Sequence, residues 1–202
     1  MLYISFIIFC VVLIAVLNAF FTAPVYNESV WLIILYTVIS VVGVIAIDGI
    51  FATIVRWAFP KKWFGVDKNG FSAGKKECRF YEKLGIKKWK DLVLELGMFT
   101  SFSKSKISDP TNNEFVERYI LEANYGIGVH IACDIFGFLV CLIFPRYWYC
   151  IGIPVAIVNL FLNTLSILIL RYNLPKLHTL YRINQKREKR KAVVEEQQSK
   201  TA

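Results

Sequence analysis

The chain has 202 residues, of which 56% are hydrophobic and 19% are charged, and its formal net charge is +9. A mean hydropathy of +0.49 and long uncharged runs exclude an ordinary soluble domain. The positive charge therefore indicates an anionic membrane surface rather than nucleic acid. Five scattered cysteines without a CxxC pair and only two histidines give no support to a zinc site.

Four apolar segments are long enough to cross a bilayer, which takes about 20 apolar residues. The first, 2–21, carries no charge and lacks the basic leader of a signal peptide, so we interpret it as a retained span. A short polar turn precedes the second span, 30–59, which contains Asp48. The third and fourth spans, 126–144 and 147–170, are joined by a tight turn. The predicted fold class is an all-α polytopic membrane protein with four transmembrane helices.

Between spans two and three lies a long polar segment, 60–121. From Phe80 to Leu96 its aromatic and aliphatic residues alternate with charged ones, which predicts one or two amphipathic helices on the membrane surface, broken near Gly85. After a predicted turn at 108–110, Asn112 or Asn113 is expected to cap a helix that continues into the third span. The spans and this segment form one membrane domain, 1–185. Residues 186–202 are a basic polar tail that we expect to be frayed.

In the four-span arrangement, nearly all basic residues fall on one side of the membrane. The segment between spans two and three, counted from Arg56, and the tail from Arg171 together hold 23 of the 24 lysines and arginines. Lysine and arginine near span ends stay in the cytoplasm. The sequence therefore predicts an N-terminus outside the cell membrane and a C-terminus in the cytoplasm.

Ionisable side chains inside the third span are candidates for function, because burying them in a membrane is costly. Glu122, Gly126, His130 and Asp134 recur every four residues and therefore share one face of a helix. Asp134 is one turn from His130, a spacing at which a carboxylate can orient an imidazole. An oriented histidine can act as a general base on a hydroxyl group. A buried polar pair that only holds helices together explains the same spacing.

Three polar side chains lie eight residues inward from the charged residues that end their spans, a depth of about 12 Å at 1.5 Å per residue. They are Asp48, His130 and Asn163, and Asn159 lies one turn deeper. This polar layer predicts either a substrate cavity reached from the cytoplasmic leaflet or a network of interhelical hydrogen bonds.

Three motifs occur in a fixed order along the chain. They are Phe-Tyr-Glu-Lys-Leu-Gly-Ile-Lys-Lys-Trp-Lys-Asp at 80–91, Leu-Glu to His130 at 121–130, and Arg-Tyr-Asn-Leu-Pro-Lys-Leu at 171–177. Their order and spacing resemble the glycosyl-4,4′-diaponeurosporenoate acyltransferase family of small bacterial inner-membrane proteins. Ile127 stands where the family has an acid three residues before the histidine. We expect Asp134 to supply that acid one turn after His130.

The resemblance implies transfer of a fatty acyl group to a hydroxyl of a glycolipid or isoprenoid-linked acceptor at the inner leaflet. It implies no cofactor, with acyl-CoA or an acyl carrier protein as the acyl donor. His130 is the expected base, with Asp134 or Glu122 as its orienter. The further expected substrate contacts are Asp48, Asn159, Asn163, Arg171, Asn173, Arg79, Tyr81, Trp89 and Lys90.

Other functions stay open at this point. A non-catalytic lipid-binding or scaffold protein could keep the fold without the acid at Ile127, and a different membrane-embedded lipid-modifying enzyme could use the same polar layer. A small transporter is less favoured because no internal repeat is visible. The basic rim is equally explained by attraction to anionic lipids, worth about 1 kcal/mol per residue. Expected partners are membrane lipids and a lipid substrate, with homo-oligomerisation left open.

Overall fold

The computed structural model describes residues 2–93 and 109–201. Over these residues it contains no strand, and four of its helical stretches are long and apolar enough to cross a membrane. The predicted all-α membrane fold with four spans is confirmed. In chain order the α-helices are α1 (Leu2–Tyr26), α2 (Val30–Ala58), α3 (Lys75–Lys83), α4 (Ile86–Trp89), α5 (Asn113–Phe136) and α6 (Ile153–Thr201).

The first connection is shorter than the predicted polar turn. Helix α1 continues to Tyr26, five residues beyond the predicted end of the first span. The chain then reverses at Asn27, which has a φ of 54°. Asparagine is one of the few residues that adopt this left-handed conformation readily. Helix α2 follows directly after Ser29 and matches the predicted second span within one residue at its end.

The segment between spans two and three, called the connecting segment below (residues 59–112), is described up to residue 93 and from residue 109. It contains two short helices, α3 and α4, where the sequence predicts one or two amphipathic helices. Helices α3 and α4 are separated at Gly85, where a φ of 72° favours glycine. Tyr81 and Ile86 are buried against Ile169 and Tyr172 of α6. The part of this prediction that reaches Leu96 lies outside the described residues. The break near Gly85 is confirmed, and the amphipathic face packs on the end of α6.

Helix α5 begins where its capping residues predict. The side chain of Asn112 accepts a hydrogen bond from the Phe115 N–H at 3.2 Å. Asp109 Oδ1 accepts from the N–H groups of Thr111 and Asn112 at 3.1 and 3.2 Å, which forms the turn before the helix. The helix runs without interruption into the third span and continues as a 3₁₀-helix over Gly137–Leu142.

Helix α6 extends far beyond the predicted fourth span. It follows a π-helical turn at Trp148–Gly152 and continues to Thr201, so the tail that we expected to be frayed is helical. The tail is rich in lysine, arginine, glutamate and glutamine, which all have high helix propensity. Asn184 Nδ2 also donates to the Pro110 carbonyl at 2.8 Å, which ties this part of α6 to the start of α5.

The close approach of Gly152 to the backbone of Cys141 allows a test of the packing. A Cβ built on Gly152 would lie 2.8 Å from the Cα of Cys141, a backbone atom that cannot move aside alone. We expect Gly152→Ala to destabilise the protein by about 1–3 kcal/mol, the usual cost of overpacking. Gly49→Ala is the control, because a Cβ there meets nothing within 4 Å. Thermal unfolding in detergent measures both, and equal midpoints would contradict the close approach.

Candidate functional site

Hydrogen bonds join the polar layer across three helices. Asn163 on α6 donates from Nδ2 to Asp48 Oδ2 on α2 at 3.2 Å. Its Oδ1 lies 2.7 Å from Nδ1 of His130 on α5. Asn159, one turn earlier on α6, donates to Asp48 Oδ1 at 3.1 Å. The structure therefore has the interhelical network that was one of the two expectations for this layer, with Asn163 at its centre.

The carboxylate of Asp48 decides how the His130 ring is protonated. The NH₂ group of Asn163 faces Asp48 and donates to its Oδ2. The same amide then presents its oxygen to His130, and Nδ1 must carry the proton that it donates. This tautomer leaves Nε2 as the basic nitrogen of the imidazole.

Asp134 has another partner than the one that the sequence suggested. Oδ2 of Asp134, one turn along α5 from His130, accepts from Thr164 Oγ1 on α6 at 3.4 Å. Orientation of Nδ1 thus comes from Asn163, an orienter that sequence reasoning did not assign. Ile127, at the position of the family acid, is fully buried in an apolar cluster between α5 and α6.

Glu122 lies at the basic end of the bundle, the end that carries the connecting segment. Its Oε2 accepts from Arg56 Nη2 at 2.9 Å, and the Arg56 guanidinium lies 5.8 Å from the centre of the Tyr125 ring. His130 is two helical turns away along α5, a rise of about 12 Å. The Glu122 carboxylate is therefore engaged by Arg56 and does not orient the imidazole.

The motif at 121–130 also anchors the connecting segment. Asn124 is fully buried and donates to the carbonyl of Phe64 at 2.8 Å. The Tyr125 hydroxyl donates to the carbonyl of Phe59 at 2.8 Å, and its ring stacks on Phe64 with centroids 4.1 Å apart. These contacts fix the chain where it leaves α2.

Arg171 forms a clamp between α6 and α3. Its Nε and Nη2 donate to the two carboxylate oxygens of Glu77 at 2.8 and 2.9 Å, and Nη1 donates to the carbonyl of Gly70 at 3.3 Å. The hydroxyl of Tyr81 donates to the same carboxylate. The Arg171 guanidinium holds the pKa of Glu77 at about 2. The expected head-group contacts Arg171 and Tyr81 thus serve a contact within the protein.

Pro175 explains why this motif contains a proline inside a helix. In an α-helix the N–H of residue 175 would donate to the carbonyl of Arg171, but proline has no N–H. The released carbonyl accepts instead from the N–H of Ala73 at 3.2 Å. Backbone and side chain of Arg171 therefore both hold the connecting segment against α6. The proline four residues after the arginine is the sequence feature that indicates this free carbonyl.

The other expected contacts surround this clamp. Trp89 packs in the same cluster as Tyr81 and donates from Nε1 to the carbonyl of Leu84 at 3.1 Å. Lys90 is half-buried, with Nζ 3.9 Å from Asp91 Oδ1. Arg79 is exposed on α3, and Asn173 is half-buried on α6. These residues lie on the basic end of the bundle, away from the polar layer.

Comparison with known proteins agrees with the three motifs. The chain matches the family described as glycosyl-4,4′-diaponeurosporenoate acyltransferase over residues 60–183, which is more than half of its length. The matched stretch includes His130, Asn163 and the Arg171 clamp. No curated protein and no solved structure matches the chain. The chain belongs to the glycosyl-4,4′-diaponeurosporenoate acyltransferase family.

Proposed function

We propose that this protein is a membrane acyltransferase that moves a fatty acyl group onto a hydroxyl of a glycolipid or isoprenoid-linked acceptor. The family supports an acyl transfer. The observation that carries the proposal for this chain is the hydrogen-bonded series Asp48–Asn163–His130 inside the bundle. A histidine held by an amide and a carboxylate within the membrane is more than helix packing requires.

In the proposed reaction, His130 Nε2 accepts the proton of the acceptor hydroxyl while the oxygen attacks the carbonyl carbon of an acyl thioester. The new ester C–O bond forms and the C–S bond breaks. The imidazolium then returns the proton to the thiolate of the leaving carrier, so that charge and atoms balance. Asn163 and Asp48 stabilise the transient positive charge through the Nδ1–H.

The acyl donor in this proposal is acyl-CoA or an acyl carrier protein, which brings the thioester from the cytoplasm. We therefore place the basic end of the bundle in the cytoplasm of a bacterial cell and the N-terminus outside. The positive charges around the connecting segment and α6 support this orientation. Asp48, Asn159 and Asn163 form the site, and Arg171 holds the connecting segment.

Lipid analysis tests the activity. Cells that make glycosyl-4,4′-diaponeurosporenoate carry the wild-type chain, His130→Ala or Ser166→Ala. The lipids of their membranes are then compared by mass spectrometry. We expect the acylated product to fall by at least about 10²-fold in His130→Ala, the typical contribution of a general base. Ser166→Ala should keep the activity, because its hydroxyl bonds to the Leu162 carbonyl of its own helix and, among the described residues, to no part of the polar layer.

The same experiment separates the enzyme from the scaffold. If deletion of the chain changes the lipid profile but His130→Ala does not, at equal protein level, a non-catalytic role is correct. If neither deletion nor substitution changes any acylated lipid, the acyltransferase proposal is wrong.

A further inference from the structure

A basic cleft opens at the mouth of the bundle where α2 and α5 meet. Its volume is about 280 Å³, and it is lined by Arg56, Lys61, Arg118, Leu121, Glu122 and Tyr125. Three of these residues are cations and one is an acid, and the acid is already paired with Arg56. The cleft therefore has a net positive charge, which suits an anionic group.

An apolar groove of about 720 Å³ runs along the same two helices toward the middle of the membrane. Its walls include Phe51, Ile54, Ile131 and Ile135, and Lys68 is the charged residue of its lining. Ile135 and Trp63 are 62% and 53% exposed as whole residues, so the groove opens sideways toward the surrounding lipid. A chain from the bilayer can enter it laterally without passing through water.

The cleft and the groove share a wall. Tyr125 lines the cleft, and its ring stacks on Phe64, which lines the groove. Its hydroxyl is bonded to the carbonyl of Phe59, another groove residue. On α2 the neighbours Val55 and Arg56 face the groove and the cleft respectively. A single molecule with a polar head and an apolar chain fits both spaces at once.

We propose that the cleft and the groove together bind one phospholipid with a net negative head group from the leaflet at the basic end of the bundle. The phosphate and its anionic substituent lie near Arg56, Lys61 and Arg118, and one fatty acyl chain follows the groove. Basic pockets between membrane helices bind anionic head groups in this way. The lateral opening selects a lipid of the bilayer as the occupant.

The position of the groove on α5 separates this lipid from the proposed reaction. Gly128, Ala132 and Ile135 line the groove. At roughly 100° per residue these three lie about 140–160° around the helix from His130, and Ile131, the groove residue at the smallest angle, lies about 100° away. A chain in the groove therefore does not meet the imidazole, and the bound lipid is a resident partner that buttresses α2 against α5. The inference does not depend on the acyltransferase activity.

Native mass spectrometry of the full chain, released from nanodiscs of phosphatidylcholine with a minor share of phosphatidylglycerol, tests the proposal. We expect the wild-type chain to retain one phosphatidylglycerol in preference to phosphatidylcholine. Lys61→Gln with Arg118→Gln should weaken this retention on the order of tenfold, since each basic residue near the head group contributes. Lys75→Gln with Lys76→Gln removes the same charge from exposed positions of α3 and should change nothing.

A second pair of variants examines the groove. Ile131→Trp fills the groove from its exposed wall and should displace the lipid, whereas Ile157→Trp on the exposed surface of α6 should not. Circular dichroism checks that each variant is folded. The site would be overturned if the wild-type chain retained both lipids equally. It would also be overturned if the Lys61/Arg118 and Lys75/Lys76 double variants lost phosphatidylglycerol to the same extent. Binding of palmitoyl-CoA in place of phosphatidylglycerol, lost in Lys61→Gln with Arg118→Gln, would overturn its assignment to a bilayer lipid.

Discussion

Replacing Asn163 with leucine should reduce acyl transfer almost as far as replacing His130 with alanine, by about 10²–10⁴-fold. Leucine has a similar volume but neither donates to Asp48 nor accepts from His130. Without that acceptor the ring can protonate at Nε2, which removes the base from the side that meets the hydroxyl. The measurement is the rate of product formation in membranes with increasing acceptor. We expect kcat to fall while KM for the acceptor changes little.

Asn159→Ala is the matched control for this variant. Asn159 also donates to Asp48, at 3.1 Å, but its side chain is not the partner of His130 Nδ1. Its removal weakens the anchoring of the carboxylate and takes away the Oδ1 that accepts from Asn163 Nδ2 at 3.2 Å. The contacts of Asn163 with Asp48 and His130 remain, so we expect a loss of about tenfold or less. If both variants lost the same activity, or if Asn163→Leu raised KM without lowering kcat, Asn163 would be a packing or binding residue and not an orienter of His130.

The sequence predicted the depth of this site but not its pairing. Hydropathy defined the spans, and a constant rise per residue put Asp48, His130 and Asn163 at one level. Which of two polar neighbours reaches His130 depends on how α5 and α6 are rotated against each other. A four-residue spacing describes one helix only, so it favoured Asp134, whereas the facing helix supplies Asn163.

The roles of the outer motifs were harder to predict for a related reason. Arg171 and Glu77 are 94 positions apart in sequence, and nothing local marks Glu77 as the partner of an arginine beyond the fourth span. The sequence does not distinguish an arginine that faces solvent beside a membrane from one that binds a lipid head group. The missing N–H of Pro175 was the local feature that pointed to a free carbonyl at Arg171, and hence to a docked segment.

Replacing Glu77 with glutamine should loosen the connecting segment and lower the free energy of unfolding by about 1.5–3 kcal/mol, the range for hydrogen bonds to charged groups. Glutamine has a similar volume but lacks the negative charge that accepts two hydrogen bonds from Arg171. Chemical unfolding in detergent at neutral pH, followed by helix content and by tryptophan fluorescence, to which Trp89 in the same cluster contributes, measures the change.

The pH dependence of this difference identifies its cause. The pKa of Glu77 is lowered from its ordinary value of 4.5 to about 2 by Arg171. A group whose pKa is lower in the folded state stabilises the fold above its unfolded pKa, and that contribution disappears as the pH falls through the folded pKa. The stability advantage of the wild-type chain over Glu77→Gln should therefore be constant at neutral pH and shrink between about pH 4.5 and about pH 2.

Asp91→Asn provides the comparison at the same end of the molecule. Asp91 is 82% exposed, and Lys90 lies 3.9 Å from it, so its charge is screened by water. Its removal should leave both the stability and its pH dependence unchanged.

A Glu77→Gln difference that persisted down to pH 2 would mean that shape rather than charge holds the connecting segment. In that case the principal contact would be the hydrogen bond from Ala73 to the Arg171 carbonyl, which Pro175 leaves free. Pro175→Ala would then be the more damaging substitution, because an N–H at position 175 would bond to that carbonyl within the helix.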